Sequence, residues 1–179
     1  MSQTTLTEGS PLILDASCGY GRFWPRFATI RIDIRAEVRP DILMDSRNLK
    51  FPNAYFDEIY YDPPHLFRKS DNLERLRQVR RFTRRFGPLC TFDRYEYWHT
   101  RREWPSSLHQ SMKEFHRCLK PNGRLRVKLT EGKYMLVDDL DNQGFEIEKH
   151  RTTTSRAITR TAMVHWLILK PKPCQKQIV

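Results

Sequence analysis

The sequence predicts an α/β domain built on a mostly parallel seven-stranded sheet, with helices on its faces and an antiparallel last strand. Three observations predict it. Short apolar runs alternate with amphipathic stretches along most of the 179 residues, the pattern of strand–helix units. Several of these runs end in an acid and pass straight into a turn. Near the C-terminus two apolar runs follow one another through a polar linker, which favours a final hairpin over a further crossover.

Strands are expected at Leu12–Asp15, Thr29–Asp33, Asp41–Met44, Glu58–Asp62, Arg124–Leu129, Phe145–Lys149 and Met163–Leu169. Helical spacing is clearest over Asn72–Arg85, Ser107–Leu119 and Tyr134–Asp141. Pro121-Asn122-Gly123 is a turn that ends the second helix and starts the fifth strand. Residues 1–170 form one domain, with an insertion at about 66–106 and a tail at 171–179. The insertion breaks the rhythm, because a compact α/β unit would use a short connection and one helix there.

Composition narrows the function classes. No apolar run approaches about 18 residues, so no membrane span is expected. Met1–Ser10 lacks the basic and apolar regions of a signal peptide, which predicts a cytoplasmic, intracellular protein. Cys18, Cys90, Cys118 and Cys174 lie far apart with no Cys-x-x-Cys pair, so no metal site is expected. The net charge of +11 creates a field that attracts polyanions.

The first motif is the turn Asp15-Ala16-Ser17-Cys18-Gly19-Tyr20-Gly21, which follows an apolar strand. Gly19 and Gly21 let a ligand approach the backbone closely. In an open α/β sheet this turn lies at the carboxyl end of its strand, where ligands bind. Asp33 ends the next strand, 18 positions after Asp15, at a spacing suited to ribose hydroxyls. Asp45, followed by Ser46, ends the third. Singly, each acid is equally a turn or cap residue. Three such acids along one sheet edge repel, so a ligand or hydrogen-bond donors must compensate them.

The second motif is Tyr60-Tyr61-Asp62-Pro63-Pro64-His65. The prolines lock the turn and remove N–H donors. Asp62 and the rigid backbone carbonyls beside it can accept the two hydrogens of an amine. Two fixed acceptors localise a lone pair that a base ring would otherwise delocalise, and aim it.

Together these features resemble the class I S-adenosylmethionine-dependent methyltransferases, in particular the amino-methyltransferases with an Asp/Asn-Pro-Pro-aromatic motif. The resemblance covers roughly Leu12 to Leu129 and includes Leu119-Lys-Pro-Asn-Gly123, similar to the family's turn before the fifth strand. It implies a Rossmann-like fold and S-adenosyl-L-methionine as cofactor. It implies that Asp15, Ala16, Cys18, Gly19 and Gly21 hold the methionine part, Asp33 the ribose, and Asp45 with Ser46 the adenine. Asp62, Pro63, Pro64 and His65 would be the catalytic group, holding the target amine. His65 departs from the pattern: the family has Tyr, Phe or Trp there, and an imidazole stacks more weakly.

The substrate expected is nucleic acid, DNA or RNA, methylated on an exocyclic base amine, adenine N6 foremost. Arg77, Arg81 and Arg85 in the insertion would neutralise phosphates, and Tyr97 and Trp98 would stack on unpaired bases. Sequence specificity is expected to be limited, or supplied by a partner protein. A second basic stretch, Arg151 to Arg160, either flanks the same site or is a plain loop. Lys128, ending the fifth strand, is similar to the lysine base of ribose 2′-O-methyltransferases. That reading stays open, as do methylation of a small molecule or protein and a non-catalytic nucleic-acid-binding subunit.

Overall fold

The computed structural model describes residues 10–19, 28–63, 104–130, 140, 144–156 and 161–173. In chain order these form β1 (Ile13–Asp15), β2 (Ile30–Asp33), a 3-10 turn (Ala36–Val38), β3 (Ile42–Leu43), β4 (Phe56–Tyr61), α1 (Trp104–Cys118), β5 (Leu119–Thr130), β6 (Phe145–Arg156) and β7 (Thr161–Pro171). All seven strands join one sheet in the order β3-β2-β1-β4-β5-β7-β6. The pairs among β1 to β5 are parallel, while β7 runs antiparallel to both β5 and β6.

Apolar alternation places the core. Leu14, Ile32, Ile59, Tyr61, Leu125, Val127, Leu129, Leu167 and Leu169 are buried. Against them α1 lays Leu108, Met112 and Phe115, at the i, i+4, i+7 spacing of one helix face. The Phe115 ring meets Tyr61 edge-on at 4.8 Å. Arg117 fastens the C-terminal end of α1 to the loop before β4, donating to the carbonyls of Leu49 (2.9 Å) and Phe51 (2.7 Å). Among the described residues no helix is long and apolar enough to cross a membrane.

Several boundaries differ from expectation, with β4 starting at Phe56, β5 at Leu119 and β7 at Thr161. β6 continues from Lys149 to Arg156, through what the sequence suggests is a polar linker. Its β-branched Thr152, Thr153 and Thr154 pair with His165, Val164 and Met163, and an outermost strand has no apolar alternation to display. α1 starts at Trp104, inside the expected insertion. β7 extends to Pro171, one residue into the expected tail. The helices expected at 72–85 and 134–141 lie outside the described residues, apart from buried Leu140.

The Pro121-Asn122-Gly123 turn is accommodated as a bulge. Phe56 pairs with Leu119 but Glu58 already pairs with Arg124, so one residue of β4 faces four of β5. A Cβ at Gly123 would lie 3.0 Å from the carbonyl oxygens of both Asp57 and Lys120. Backbone cannot retreat as a side chain can. Gly123→Ala is therefore expected to cost about 1–3 kcal/mol, read as a lowered urea midpoint with unchanged slope.

Candidate active site

The strand order reverses direction between β1 and β4, with β2 and β3 on one side and β5 to β7 on the other. Outside the carboxyl ends of β1 and β4 lies the crevice where such sheets bind ligands. Asp15 ends β1 and Asp62 follows β4, so both acids flank that crevice.

The turn after β1 is stitched to both neighbouring strands. Ala16 N–H donates to the Tyr60 carbonyl (2.8 Å) and Cys18 N–H to that of Ile32 (3.0 Å). Gly19 adopts φ +49°, a conformation that penalises any side chain, and its N–H donates to Asp33 Oδ2 at 3.0 Å. Asp62 N–H donates to Ser17 Oγ at 2.8 Å, which ties the Asp-Pro-Pro turn to the glycine turn. Cys18 is inert as a nucleophile. Burial, reinforced by Asp33 and Asp15, pushes its thiol up to about 12.

The strand-end acids are compensated one by one. Asp33 is buried and holds Arg35 in a forked pair, with Nε and Nη2 each at 3.0 Å, and also accepts from Arg35 N–H. Asp45 holds Arg47 in the same way, with Nη2 at 2.6 Å. Burial works to raise the Asp45 carboxyl, but the side-chain and backbone bonds from Arg47 prevail and keep it below its usual range. Asp62 Oδ2 accepts from Lys128 Nζ at 2.7 Å, with only 9% of the lysine side chain and 14% of the aspartate exposed.

Asp15 is the exception. Its hydrogen bond among the described residues is from Ser17 N–H at 3.3 Å. Burial foremost, then the charges of Asp33 and Asp62, outweigh Ser17 and Arg31 and raise its carboxyl to about 7. Asp33 and Asp62 lie near enough to Asp15 for their charges to act on it.

The structure thus brings together Asp15, Ala16, Cys18, Gly19, Asp33, Asp62 and Lys128 from the residues expected in the site. Asp45 stands apart, beyond β2 at the edge strand β3, and is not among the charges acting on Asp15. The Ser46 hydroxyl lies in hydrogen-bonding contact with that of Ser111 of α1 at 3.0 Å. Pro63 is buried beside Asp62. Gly21, Pro64, His65, Arg77, Arg81, Arg85, Tyr97 and Trp98 lie outside the described residues.

Sequence reasoning missed three further residues in the site, Ser17, Arg35 and Trp166, and one, Arg47, that pairs with the outlying Asp45. Ser17 was in plain view inside the first motif. Arg35 and Arg47 carry a local signal, since Asp-x-Arg occurs at both strand ends. Trp166 carries none. It reaches the site because β7 sits beside β5, which sets Lys128 Nζ 5.9 Å from its ring centre, and it donates from Nε1 to Thr153 Oγ1 at 3.0 Å.

No protein-family model and no curated protein sequence matches the chain. Solved structures do. A methyltransferase from Methanosarcina mazei, described as S-adenosylmethionine-dependent, superposes with a TM-score of 0.56 at 15% identity, over 93% of this chain and 94% of its own. The Burkholderia thailandensis 1,6-didemethyltoxoflavin-N1-methyltransferase, solved with that compound and S-adenosylhomocysteine, gives 0.53 at 14% identity, over 90% of this chain and 72% of its own. The fold is that of the S-adenosylmethionine-dependent methyltransferases. A [4+2]-cyclase, SpnF, also shares this methyltransferase fold, at a TM-score of 0.54 and 14% identity over 92% of this chain and 76% of its own. Fold alone therefore names no reaction, and the case for one rests on the residues around the crevice.

Proposed function

We propose that this chain is an S-adenosyl-L-methionine-dependent methyltransferase acting on an exocyclic amine of a nucleic-acid base, with adenine N6 in DNA or RNA as the target. The observation that carries the reading is Asp62, held at the topological switch point by Lys128 on one side and by Ser17 of the glycine turn on the other.

The residues present fit the donor. Asp15 is a buried carboxylate with a raised pKa, and a cationic ligand group such as an ammonium would relieve it. Gly19 gives a close backbone approach, and Asp33 would accept ribose hydroxyls in exchange for Arg35. When bound, the donor supplies an activated methyl on a sulfonium. Asp62 then orients the target amine by accepting one of its hydrogens, and the Pro63 turn presents rigid carbonyl acceptors for the other. Lys128 fixes the Asp62 carboxylate so that it does not rotate away. The +11 charge supports a polyanionic substrate.

One observation favours a second reading. A lysine amine 2.7 Å from an aspartate, at the end of β5, is also an arrangement that can take the proton of a ribose hydroxyl. Tritiated methyl transfer to total DNA, RNA and protein, followed by nucleoside mass spectrometry, separates the two. N6-methyladenosine or its deoxy form supports the amine reading. A 2′-O-methyl nucleoside replaces it with the hydroxyl reading, and label confined to protein or small molecules overturns both.

A further inference from the structure

The bonds to Asp33 divide into a fixed set and an exchangeable set. Oδ1 accepts from Arg35 N–H and from Arg35 Nε, while Oδ2 accepts from Gly19 N–H and from Arg35 Nη2, all at 3.0 Å. A carboxylate offers about four lone-pair positions, so these four donors fill it. Two of them are backbone N–H groups, one from the turn after β1 and one from the turn after β2. They hold the plane of the carboxylate whatever the Arg35 side chain does. The other two belong to a single side chain with rotatable bonds.

Swinging that side chain away opens one acceptor position on each oxygen and leaves the carboxylate oriented. Two adjacent positions of this kind suit a vicinal diol, whose hydroxyls donate side by side as Nε and Nη2 do. A single hydroxyl would restore only one of the two bonds given up, and an unmade bond at a buried carboxylate is costly. Asp33 is 6% exposed and its partner 15%, so little water reaches the pair.

The guanidinium also stands in the path of approach. Gly19 has φ +49°, and Arg35 Nη2 lies 3.6 Å from the position a Cβ would take there. The close approach that a bare glycine allows is therefore occupied by the protein's own cation.

We infer that Arg35 is an internal competitor for a vicinal diol at Asp33, so that a ribonucleoside enters this part of the crevice by replacing the guanidinium fork with its 2′- and 3′-hydroxyls. This rests on the functional reading above for the ribose being that of the methyl donor. The exchange is even in hydrogen bonds but parts an ion pair, and apparent affinity falls with the fraction of molecules in which the fork is open. The test is calorimetric titration of wild type and Arg35→Ala with adenosine, 2′,3′-dideoxyadenosine and S-adenosylhomocysteine. Arg35→Ala is expected to bind adenosine and S-adenosylhomocysteine about three- to tenfold more tightly, and dideoxyadenosine within about twofold of wild type. It should also melt a few degrees lower, because a largely buried pair is broken. Affinity and stability then move in opposite directions, which a merely structural arginine would not produce. Arg35→Gln keeps one uncharged donor for Asp33 and covers the case in which the alanine variant fails to fold; its gain for adenosine should be about two- to threefold. Arg124→Ala removes the same charge from the Glu148 pair at the other end of the sheet, and should leave adenosine affinity within about twofold of wild type. Adenosine affinity that falls or stays level in both Arg35 variants overturns the competitor, as does an equal gain for dideoxyadenosine, or adenosine binding to none of the proteins. Adenosine binding that tightens without Arg35, beside no binding of S-adenosylhomocysteine, sinks the cofactor reading and leaves the competitor standing. S-adenosylhomocysteine binding with no gain in the variants does the reverse.

Discussion

Asp15→Asn is expected to melt about 5–10 °C above the parent at pH 8 and to lose S-adenosylhomocysteine affinity by more than about tenfold. The carboxyl is 3% exposed and stands at about 7, against 3.8 for an ordinary aspartate. The folded state therefore holds its proton more tightly than the unfolded state does. That contribution is fully present below pH 4, declines as the pH rises towards 7, and is flat above. A shift of about three units corresponds to at most about 4 kcal/mol, and local relaxation reduces it to about 2–3 kcal/mol. At 2–4 °C per kcal/mol for a chain of this size, the gain in melting temperature follows. At pH 4 the parent is protonated too, and the two proteins should melt together. Asparagine keeps an acceptor for Ser17 N–H, so the turn is preserved. Calorimetric melting at pH 4, 6 and 8 measures the divergence; parallel curves would mean that Asp15 already has a cationic partner. The loss of ligand affinity has the same origin, since the ionised carboxylate that burdens the fold is what would attract the donor's ammonium.

The second large effect concerns Asp62 and Lys128. Asp62→Ala leaves a largely buried ammonium without its carboxylate, and Lys128→Met leaves a carboxylate facing Asp15. Each single change is expected to cost about 2–4 kcal/mol, because breaking a buried pair is worse than removing it. The double variant Asp62→Ala/Lys128→Met should recover most of that, with a coupling energy of about 2 kcal/mol in urea unfolding. Additive losses would show that the pair is not coupled. In transfer assays Asp62→Ala should lower kcat by about 10²-fold or more, with S-adenosylhomocysteine affinity within about threefold of wild type. Undiminished transfer would remove Asp62 from the chemistry. Lys128→Met divides the two readings of the substrate: about a tenfold loss if lysine only steadies the carboxylate for an amine, complete loss if it is the base for a hydroxyl.

The strand-end carboxylates show how far local pattern reaches. Asp15, Asp33, Asp45 and Asp62 each sit at a strand's carboxyl end or one or two residues beyond it, as their apolar runs imply. The expectation that their crowding needs compensation also holds, but its agent differs from place to place. Arg35 and Arg47 compensate two of them across a single intervening residue. Lys128 compensates Asp62 from 66 positions away, and no sequence window spans that distance. For Asp15 the partner among the described residues is the Ser17 N–H. Ser17 meets Asp62 across 45 positions for the same reason. The outer half of β6, from His150 to Arg156, escaped notice because a Thr- and Arg-rich edge strand buries little and shows no period to read.

What the sequence by itself determined is the set of strands, the helix Leu108–Met112–Phe115 that covers them, and the acids at the strand ends. Burial periodicity and turn chemistry act over a few residues, so a linear reading captures them. Tertiary structure alone decided which acids share a crevice and which cation each one meets. Those outcomes follow from the order β3-β2-β1-β4-β5-β7-β6, because parallel neighbours are joined by long crossovers and only the assembled sheet brings their ends together.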